Sequence, residues 1–425
     1  MVPERLRILF LSMVPPSPAR IGAQRRTEGL MRALSRRHEV SAVCYLEPPF
    51  DARVTSALMR EYCSEVTLVP EDFPRGLKKR LYQARSLFDV YSYVRRQVVT
   101  RAFQRALDGM LSRTRYDALS IELPFMAHFR FRRGREAPLL VLDEHNIEFD
   151  LARQSAGEGL ELGRRLYNAV DWRKIRREEV GLWRRLDGTL FSSEVDRGRA
   201  REILPGIRSA VVPNSVDVDY FRPGPDDPPP DGRTLLFFGT QQYFPNLDGI
   251  LYFLREIWPI LSRRHADCRV KIVGADPVRE VLAYRGPRVE VAGLVDDLRP
   301  HLSSAAAVVV PIRVGGGTRF KVLEAMAMAR PVVSTAVGAE GIDVTPGQDV
   351  LLADDPASFA EAVAMLLEDP RLGSSLGAAG RSLVQDRYSW DVAARHWEAF
   401  VGDSLAERRA RAGTSPRAAR APAAS

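Results

Sequence analysis

Residues 311–335, which read PIRVGGGTRFKVLEAMAMARPVVST, carry the clearest structural signal in the chain. An apolar run ends at Pro311, three glycines follow, and apolar residues with helical spacing then extend from about Thr318 to Ala329. A second apolar run occupies residues 331–335. This order predicts two parallel strands joined by a crossover helix, with a Gly-rich loop where the first strand ends.

The loop and the start of this helix form a candidate anion site. A helix N-terminus offers free backbone N–H groups and a partial positive charge, and glycines let the backbone approach a ligand closely. Arg319 and Lys321 add cationic donors, and Glu324 can accept hydrogen bonds from the two hydroxyls of a ribose. We therefore predict a diphosphate site; the alternative is a Gly-rich turn before an ordinary helix with solvated charges.

Apolar runs alternate with helix-like stretches along the whole chain, which is typical of parallel α/β sheets. The fold class predicted is α/β, with two doubly wound Rossmann-like domains facing across a cleft, where such sheets bind ligands. Residues 222–233 hold five prolines and favour a stiff spacer. The predicted divisions are a first Rossmann-like domain at 1–212, a linker at 213–233, a second Rossmann-like domain at 234–387, a returning helix at 388–403 and a basic, disordered tail at 404–425.

Composition excludes several classes of protein. The chain has 425 residues, of which 45% are hydrophobic and 27% charged, so a disordered or fibrous protein is excluded. Its three cysteines are scattered, which opposes a disulfide framework and a zinc site and favours a reducing compartment. No run of 18 apolar residues occurs. We therefore expect a cytoplasmic protein.

The segment at 315–327, with residues 331–335 and 338–342, resembles the family 4 retaining glycosyltransferases of the GT-B fold. The match is to the subgroup with a GGGTR-x-K-x-x-EAMA helix, and segments at 141–148, 193–196, 212–217 and 291–298 extend it over most of the chain. The resemblance implies transfer of a sugar from a nucleotide-diphosphate donor to a hydroxyl acceptor, with retained configuration. It implies that the domain at 1–212 holds the acceptor and the domain at 234–387 binds the nucleotide-sugar. It implies no metal and no other cofactor.

The resemblance also implies roles for single residues. Glu324 would bind the ribose, Lys321 would face the diphosphate, and His145 would lie near the transferred sugar; these three are the predicted catalytic residues. For His145 the alternative is a loop histidine satisfied by Asp143 or by a backbone carbonyl. The predicted donor-binding set is Gly22, Gly239, Gly316, Gly317, Thr318, Arg319, Lys321, Glu324 and Glu340.

The chain departs from the family pattern in two places. Gly316 stands where the family has a glutamate, and the loop after Gly239 lacks the usual Arg and Lys on the diphosphate. Two rival functions therefore stay open. One is a nucleotide-sugar epimerase of the same fold, and the other is a non-catalytic member that binds a nucleotide-sugar or a partner protein.

The expected partners are a nucleotide-diphosphate sugar and a saccharide or lipid-linked acceptor. Basic residues interleaved with aromatics occur at 75–96 and 164–185. Such stretches favour an anionic membrane surface, which would make the protein peripheral at the inner face of the membrane. The alternative is a solvated helix face in which Glu178 and Glu179 pair locally. Nucleic acid is not expected, because no recognised nucleic-acid-binding pattern accompanies the charge.

Overall fold

The computed structural model describes residues 5–48, 50–131, 134, 136–154, 162–315 and 317–413. The chain divides into two compact units. Unit 1 takes its residues from 1–191, 197–212 and 394–425, and unit 2 takes its residues from 192–196 and 213–393. The chain therefore passes from one unit to the other at several places, and not only at one linker.

Unit 1 is built on a seven-stranded sheet in which every pairing is parallel, with the order β3-β2-β1-β4-β5-β6-β7. Most strand residues are buried on both faces of the sheet, which explains their continuous apolar runs. The strands are β1 Arg7–Ser12, β2 Glu39–Leu46, β3 Glu65–Pro70, β4 Ala118–Glu122, β5 Leu139–Glu144, β6 Gly188–Phe191 and β7 Ser209–Val211.

Helices connect these strands. The first of them buries Leu30, Met31 and Leu34, as its apolar spacing predicts. A 3-10 turn at Pro124–His128 follows β4. The helices are α1 Gly22–Ser35, α2 Ala52–Arg60, α3 Gly76–Ser86, α4 Tyr93–Val98, α5 Arg101–Arg113, α6 Glu148–Gln154, α7 Leu162–Arg185 and α8 Glu194–Ile203, the last of which begins among unit 2 residues.

Unit 2 repeats the design with a six-stranded parallel sheet of order β10-β9-β8-β11-β12-β13. Its strands are β8 Thr234–Phe238, β9 Arg269–Val273, β10 Val289–Gly293, β11 Ala307–Val310, β12 Val332–Ser334 and β13 Leu351–Leu352. A π-helical turn at Phe253–Ile257 joins two of its helices. The helices are α9 Phe244–Tyr252, α10 Trp258–Arg264, α11 Arg279–Leu282, α12 Arg299–Ser304, α13 Phe320–Ala327, α14 Pro356–Glu368 and α15 Pro370–Arg387. The last helix, α16 Trp390–Gly413, begins in unit 2 and belongs to unit 1 from Ala394 onward.

Residues 213–233 are not a free spacer, which corrects the predicted linker. They belong to unit 2 and are tied to it by specific bonds. The Val216 N–H donates to the Tyr388 carbonyl at 2.8 Å, and Ser303 Oγ donates to Asp227 Oδ2 at 2.8 Å. Prolines exclude this segment from helices and central strands, but they do not prevent it from packing along a surface.

Helix α16 also differs from the prediction, because it continues to Gly413 instead of ending at residue 403. Residues 404–413, predicted to be disordered, are helical. The helix is held here by Arg208, whose Nε donates to Ser404 Oγ at 3.0 Å and whose Nη2 donates to Glu407 Oε1 at 3.1 Å. Leu405 is buried as well. The rest of the predicted tail, residues 414–425, lies outside the described residues.

Candidate functional site

The strand order of unit 2 determines where its candidate site lies. Strands β8 and β11 are neighbours, and the order of the strands reverses between them. Open α/β sheets bind ligands at such a switch point, beyond the carboxyl ends of the strands. Strand β8 leads into Gly239, and β11 leads into the Gly-rich loop at 315–317. The two loops named by the sequence therefore start at the same place on this sheet.

Gly239 is required by the close packing of these loops. Its φ of 141° is rare for other residues, and a Cβ there would lie 2.7 Å from Asn246 Nδ2 and 3.2 Å from Lys321 Nζ. A Cβ on Gly274, at the end of the next strand, would lie 2.0 Å from the Gly239 carbonyl oxygen. A Cβ on Gly274 would therefore require the backbone to move. A Cβ on Gly239 would displace the Asn246 side chain, and its φ also favours glycine.

Lys321 reaches this loop from α13. Its Nζ donates to Asn246 Oδ1 at 2.7 Å, and Asn246 Nδ2 in turn donates to the Thr240 carbonyl at 2.9 Å. The ammonium group also lies 4.5 Å from the centre of the Phe237 ring. Lys321 of α13 therefore lies beside the loop after Gly239, which itself contains no Arg or Lys. Sequence reasoning assigned no role to Asn246, which orients this lysine.

The protonated form of the Lys321 side chain is destabilised in this site. Burial and, to a smaller extent, the neighbouring Arg319 charge lower the pKa of Lys321 to about 7, although the Glu324 carboxylate opposes the change. An ammonium group in this position gains when an anion binds next to it, because the anion offsets the lost hydration. Glu324 itself is buried on α13, one turn after Lys321. The three predicted residues of this helix are therefore electrostatically connected.

Arg319 lies at the N-cap of α13, which begins at Phe320. Burial lowers the pKa of Arg319, and the charges of Tyr243, Glu340 and Asp196 oppose that change. Predicted Glu340 is thus placed electrostatically close to Arg319. A Cβ on Gly315, whose φ is 119°, would lie 2.9 Å from Arg319 Nη2. Glycine at this position therefore leaves room for the guanidinium group.

The helix begins two residues later than predicted, so Thr318 lies in the loop. Gly317 has a left-handed φ of 74°, and Arg319 is extended, so neither residue can belong to the helix. Thr318 Oγ1 donates instead to the Gly341 carbonyl at 3.4 Å, which joins the Gly-rich loop to the loop after β12. Predicted Gly316 lies outside the described residues.

A second polar side chain of this region was missed by sequence reasoning. Gln241, two residues after Gly239, is fully buried, and neither atom of its amide has a hydrogen-bond partner among the residues that the structure describes. An unpaired buried amide costs about 1–3 kcal/mol. No signal in the sequence distinguishes this glutamine from its exposed neighbours in the loop.

Unit 1 holds a separate network around His145, which follows β5. His145 is buried, and its Nε2 lies 2.9 Å from Glu122 Oε2 at the end of β4. Ser120 Oγ donates to the other oxygen of Glu122 at 2.9 Å. Asp143, the partner considered from the sequence, bonds instead to the buried Arg26 of α1 at 2.6 Å. The histidine is therefore oriented by Glu122, a residue that the sequence did not single out.

The loop that carries His145 is held by α7. Glu179 Oε1 accepts the Glu148 N–H and Oε2 accepts the Phe149 N–H, both at 3.0 Å, at the start of α6. Glu144 Oε1 accepts the Trp183 indole N–H at 2.8 Å. Burial raises the pKa of Glu148 to about 7, and burial beside Glu144 and Glu148 raises the pKa of Glu179. Glu148 and Glu179 therefore share a poorly hydrated space beside Glu144, which favours the protonated form of these two carboxyl groups.

The side chains of Glu122, Asp143 and His145 offer ligand atoms within 4.8 Å of one another, so they could in principle hold a cation. The residues around them fit such an ion poorly. The Arg26 guanidinium already bonds to both oxygens of Asp143, and its positive charge would repel a metal ion. The donor set thus fits an ion-pair network better than a metal centre. The expectation that the protein needs no cofactor stays a prediction.

Two features occupy the switch point of the first sheet, between β1 and β4. Predicted Gly22 is the exposed first residue of α1, and Gln24 braces the loop before it by donating to the Pro15 carbonyl at 2.8 Å. Directly after Glu122, Leu123 has a φ of 73°, a conformation that is costly for a branched residue. Local strain of this kind clusters at functional sites.

Each of the two units is built on a parallel sheet, and the fold is that of the GT-B glycosyltransferases. The solved structure of HepE from Anabaena in complex with UDP and glucose superimposes with a TM-score of 0.63. It is 14% identical and covers 94% of this chain and all of its own. Other glycosyltransferase structures match with similar scores, so the predicted fold class is confirmed.

Comparison of the amino-acid sequence with known proteins gives matches to one family model and to several relatives. Residues 232–369 match the family model described as glycosyl transferases group 1. A GDP-mannose-dependent alpha-(1-6)-phosphatidylinositol monomannoside mannosyltransferase from Mycolicibacterium smegmatis is 29% identical over 48% of this chain, which spans 59% of that enzyme's length. An uncharacterized 44.6 kDa protein of the cps region of Klebsiella pneumoniae is 21% identical over 90% of this chain and 96% of its own. The similarity to the group 1 family model therefore lies in unit 2, at residues 232–369.

Among the described residues, no helix is both long and apolar enough to cross a membrane.

Proposed function

We propose that this protein is a retaining glycosyltransferase that moves a hexosyl group from a nucleotide-diphosphate sugar to a hydroxyl group. The observation that carries the proposal is the position of Lys321, whose Nζ lies beside the Gly239 loop at the switch point of the second sheet. The Arg319 side chain follows the same Gly-rich loop. Two cations and a close-packed glycine backbone suit the two phosphates of such a donor.

The chemistry required of this site is stabilisation of the leaving diphosphate. As the bond between the sugar and the phosphate breaks, negative charge grows on the diphosphate oxygens, and fixed cations stabilise that charge most where water is excluded. Lys321 and Arg319 supply the cations. Glu324, buried on the same helix, would accept hydrogen bonds from the ribose hydroxyls. His145, held by Glu122, would support the reacting sugar and its acceptor.

The acceptor that we propose is a saccharide or a lipid-linked molecule. The matched mannosyltransferase is named for a phosphatidylinositol mannoside, which supports this class. The two named nucleotides differ, because that enzyme is GDP-mannose-dependent whereas HepE holds UDP. The base of the donor therefore has to be measured.

The first test is binding of nucleotide diphosphates by thermal shift, with UDP, GDP, ADP and the monophosphate CMP compared. We expect one diphosphate to stand out, since a ligand at 100 times its Kd stabilises the folded state by about 2.7 kcal/mol. Lys321→Ala should lower the affinity at least about tenfold, the usual effect of losing a charge-assisted hydrogen bond. Lys271→Ala is the matched control, because this lysine of the same unit pairs with Glu290 on a strand.

Transfer is then measured with the sugar conjugate of that nucleotide. NMR analysis of the product should show the anomeric configuration of the donor. Conversion of the donor into its epimer without any acceptor would show that the protein is an epimerase and not a transferase. Binding without transfer to any saccharide or lipid-linked acceptor would favour the non-catalytic member. No shift with any diphosphate, or an equal loss in Lys271→Ala, would contradict the assigned donor site.

A further inference from the structure

Helix α3 of unit 1 presents its apolar residues to solvent. Of its eleven residues, Ser86 alone is buried, and Leu77 and Leu81 are 73% and 58% exposed. Leu77, Leu81 and Ala84 are spaced i, i+4, i+7, which places them on a single stripe. A helix on the surface of a globular protein normally turns such a stripe toward the core. This helix does the reverse, although an isolated helix of eleven residues is barely stable in water.

The apolar surface extends beyond this helix. Phe88, just after α3, is 95% exposed, and on the adjoining α7 the exposed Leu166 and Val170 form an i, i+4 pair. The two helices are joined where Lys174 Nζ donates to the Ser86 carbonyl at 2.5 Å. We call the resulting patch the α3–α7 surface, and it consists of Leu77, Leu81, Tyr82, Leu87, Phe88, Leu166 and Val170.

Cations border the α3–α7 surface, and acidic residues are scarce around it. Residues 76–88 contain no Asp or Glu. Exposed basic residues on the two helices include Lys78, Lys79, Arg80, Arg85, Arg164, Arg165 and Arg173. Helix α7 contains three acidic residues, and each has a partner within the protein. Asp171 accepts the Tyr93 N–H, Glu178 bonds to Ser92, and Glu179 caps α6. The positive charge of this patch therefore remains available.

We infer that the α3–α7 surface docks on an anionic lipid bilayer. Large apolar side chains ringed by Lys and Arg suit the interface, where the apolar groups enter the headgroup region and the cations meet lipid phosphates. A second copy of this chain on the same patch would bring like charges together across a two-fold axis. A nucleic acid would leave Phe88 and Leu77 against its phosphates. The lipid surface alone satisfies both parts of the patch.

Sedimentation with vesicles tests this inference without donor or acceptor, so it is independent of the proposed transfer reaction. We expect the full chain to bind vesicles of phosphatidylcholine mixed with phosphatidylglycerol, and not vesicles of phosphatidylcholine alone. Binding should weaken as the salt concentration rises from about 0.1 M to about 0.5 M. Lys78→Ala combined with Lys79→Ala should weaken binding roughly 25-fold, at about fivefold for each charge removed.

Phe88→Ser should weaken binding to the same vesicles by at least about tenfold, because it removes the largest group that can enter the interface. Leu294→Ser and Arg263→Glu are the matched controls, since both residues are exposed in unit 2. Circular dichroism confirms that each variant is folded. Equal binding to both vesicle types, or loss of binding in the controls alone, would overturn the inference. So would a dimer that Phe88→Ser converts into monomers.

Discussion

At the scale of single residues, the candidate donor site depends on groups whose charge is costly to bury. Arg319 lies at the N-cap of α13 and Lys321 in its first turn, and burial lowers the pKa of both. The residue types and their spacing on the helix were predictable from the sequence. The lowered pKa values were not, because they depend on how much water the surrounding strands and loops exclude.

Binding of the nucleotide diphosphate should depend on pH through Lys321. The pKa of Lys321 is about 7 in the free protein, and an anion beside the ammonium group must raise it. The protonated form is therefore favoured in the complex, so affinity should fall as pH rises above about 7. Isothermal titration calorimetry in buffers of different ionisation enthalpy should show uptake of a proton on binding at pH 8.

Lys321→Arg is the control for this prediction, because its side chain keeps its charge at every accessible pH. The affinity of this variant should be nearly flat between pH 6 and 8.5. An equally steep decline in Lys321→Arg would assign the pH dependence to another group.

At the scale of elements, the short loops after the strands impose the strictest requirements. The loops after β8 and β9 pack so closely that Gly239 and Gly274 leave no space for a side chain. The sequence indicates glycines at strand ends but not which of them is irreplaceable. Only the packing of one loop against another distinguishes them.

Gly274→Ala should destabilise unit 2 by about 2 kcal/mol or more, because its Cβ would meet the Gly239 carbonyl oxygen at 2.0 Å and its φ is 153°. Gly181→Ala should have the opposite sign. Gly181 lies inside α7 with nothing within 4 Å of its Cβ, so alanine should stabilise the protein by about 0.5–1 kcal/mol. Urea unfolding measures both changes. Equal effects of the two substitutions would show that the close approach at Gly274 relaxes without cost.

At the scale of the whole molecule, two parallel sheets each place a switch point beside a set of charged residues. In unit 1 these residues include Glu144, Glu148 and Glu179. Burial raises the pKa of Glu148 and Glu179. Their burial links the stability of the folded protein to pH.

Glu148 should make the protein less stable as pH rises from about 4.5 to about 7. The pKa of Glu148 is about 7 in the folded protein and ordinary in the unfolded chain, so the folded state binds more protons within this range. Glu148→Gln removes that dependence. Its free energy of unfolding relative to the wild type should rise by on the order of 2 kcal/mol between pH 5 and pH 7.5.

Urea unfolding at a series of pH values measures this difference, with the exposed Glu202→Gln as control. The buried His128 acts in the opposite direction, since burial lowers its pKa to about 3 and stability is lost as pH falls below about 6.5. Because His128 is present in both proteins, its contribution cancels in the comparison. A constant difference between wild type and Glu148→Gln across the range would contradict the prediction.

The amino-acid sequence by itself determined the alternation of strands and helices, the division into two α/β units and the chemistry of the Gly-rich helix, because these follow from local periodicity and residue type. The tertiary structure decided which distant residues meet: Lys321 with Asn246, His145 with Glu122, and Arg208 with the helix predicted to be a tail. It also decided that residues 213–233 pack within unit 2. These outcomes depend on strand order and on the packing of loops far apart in the chain, and neither local spacing nor composition encodes them.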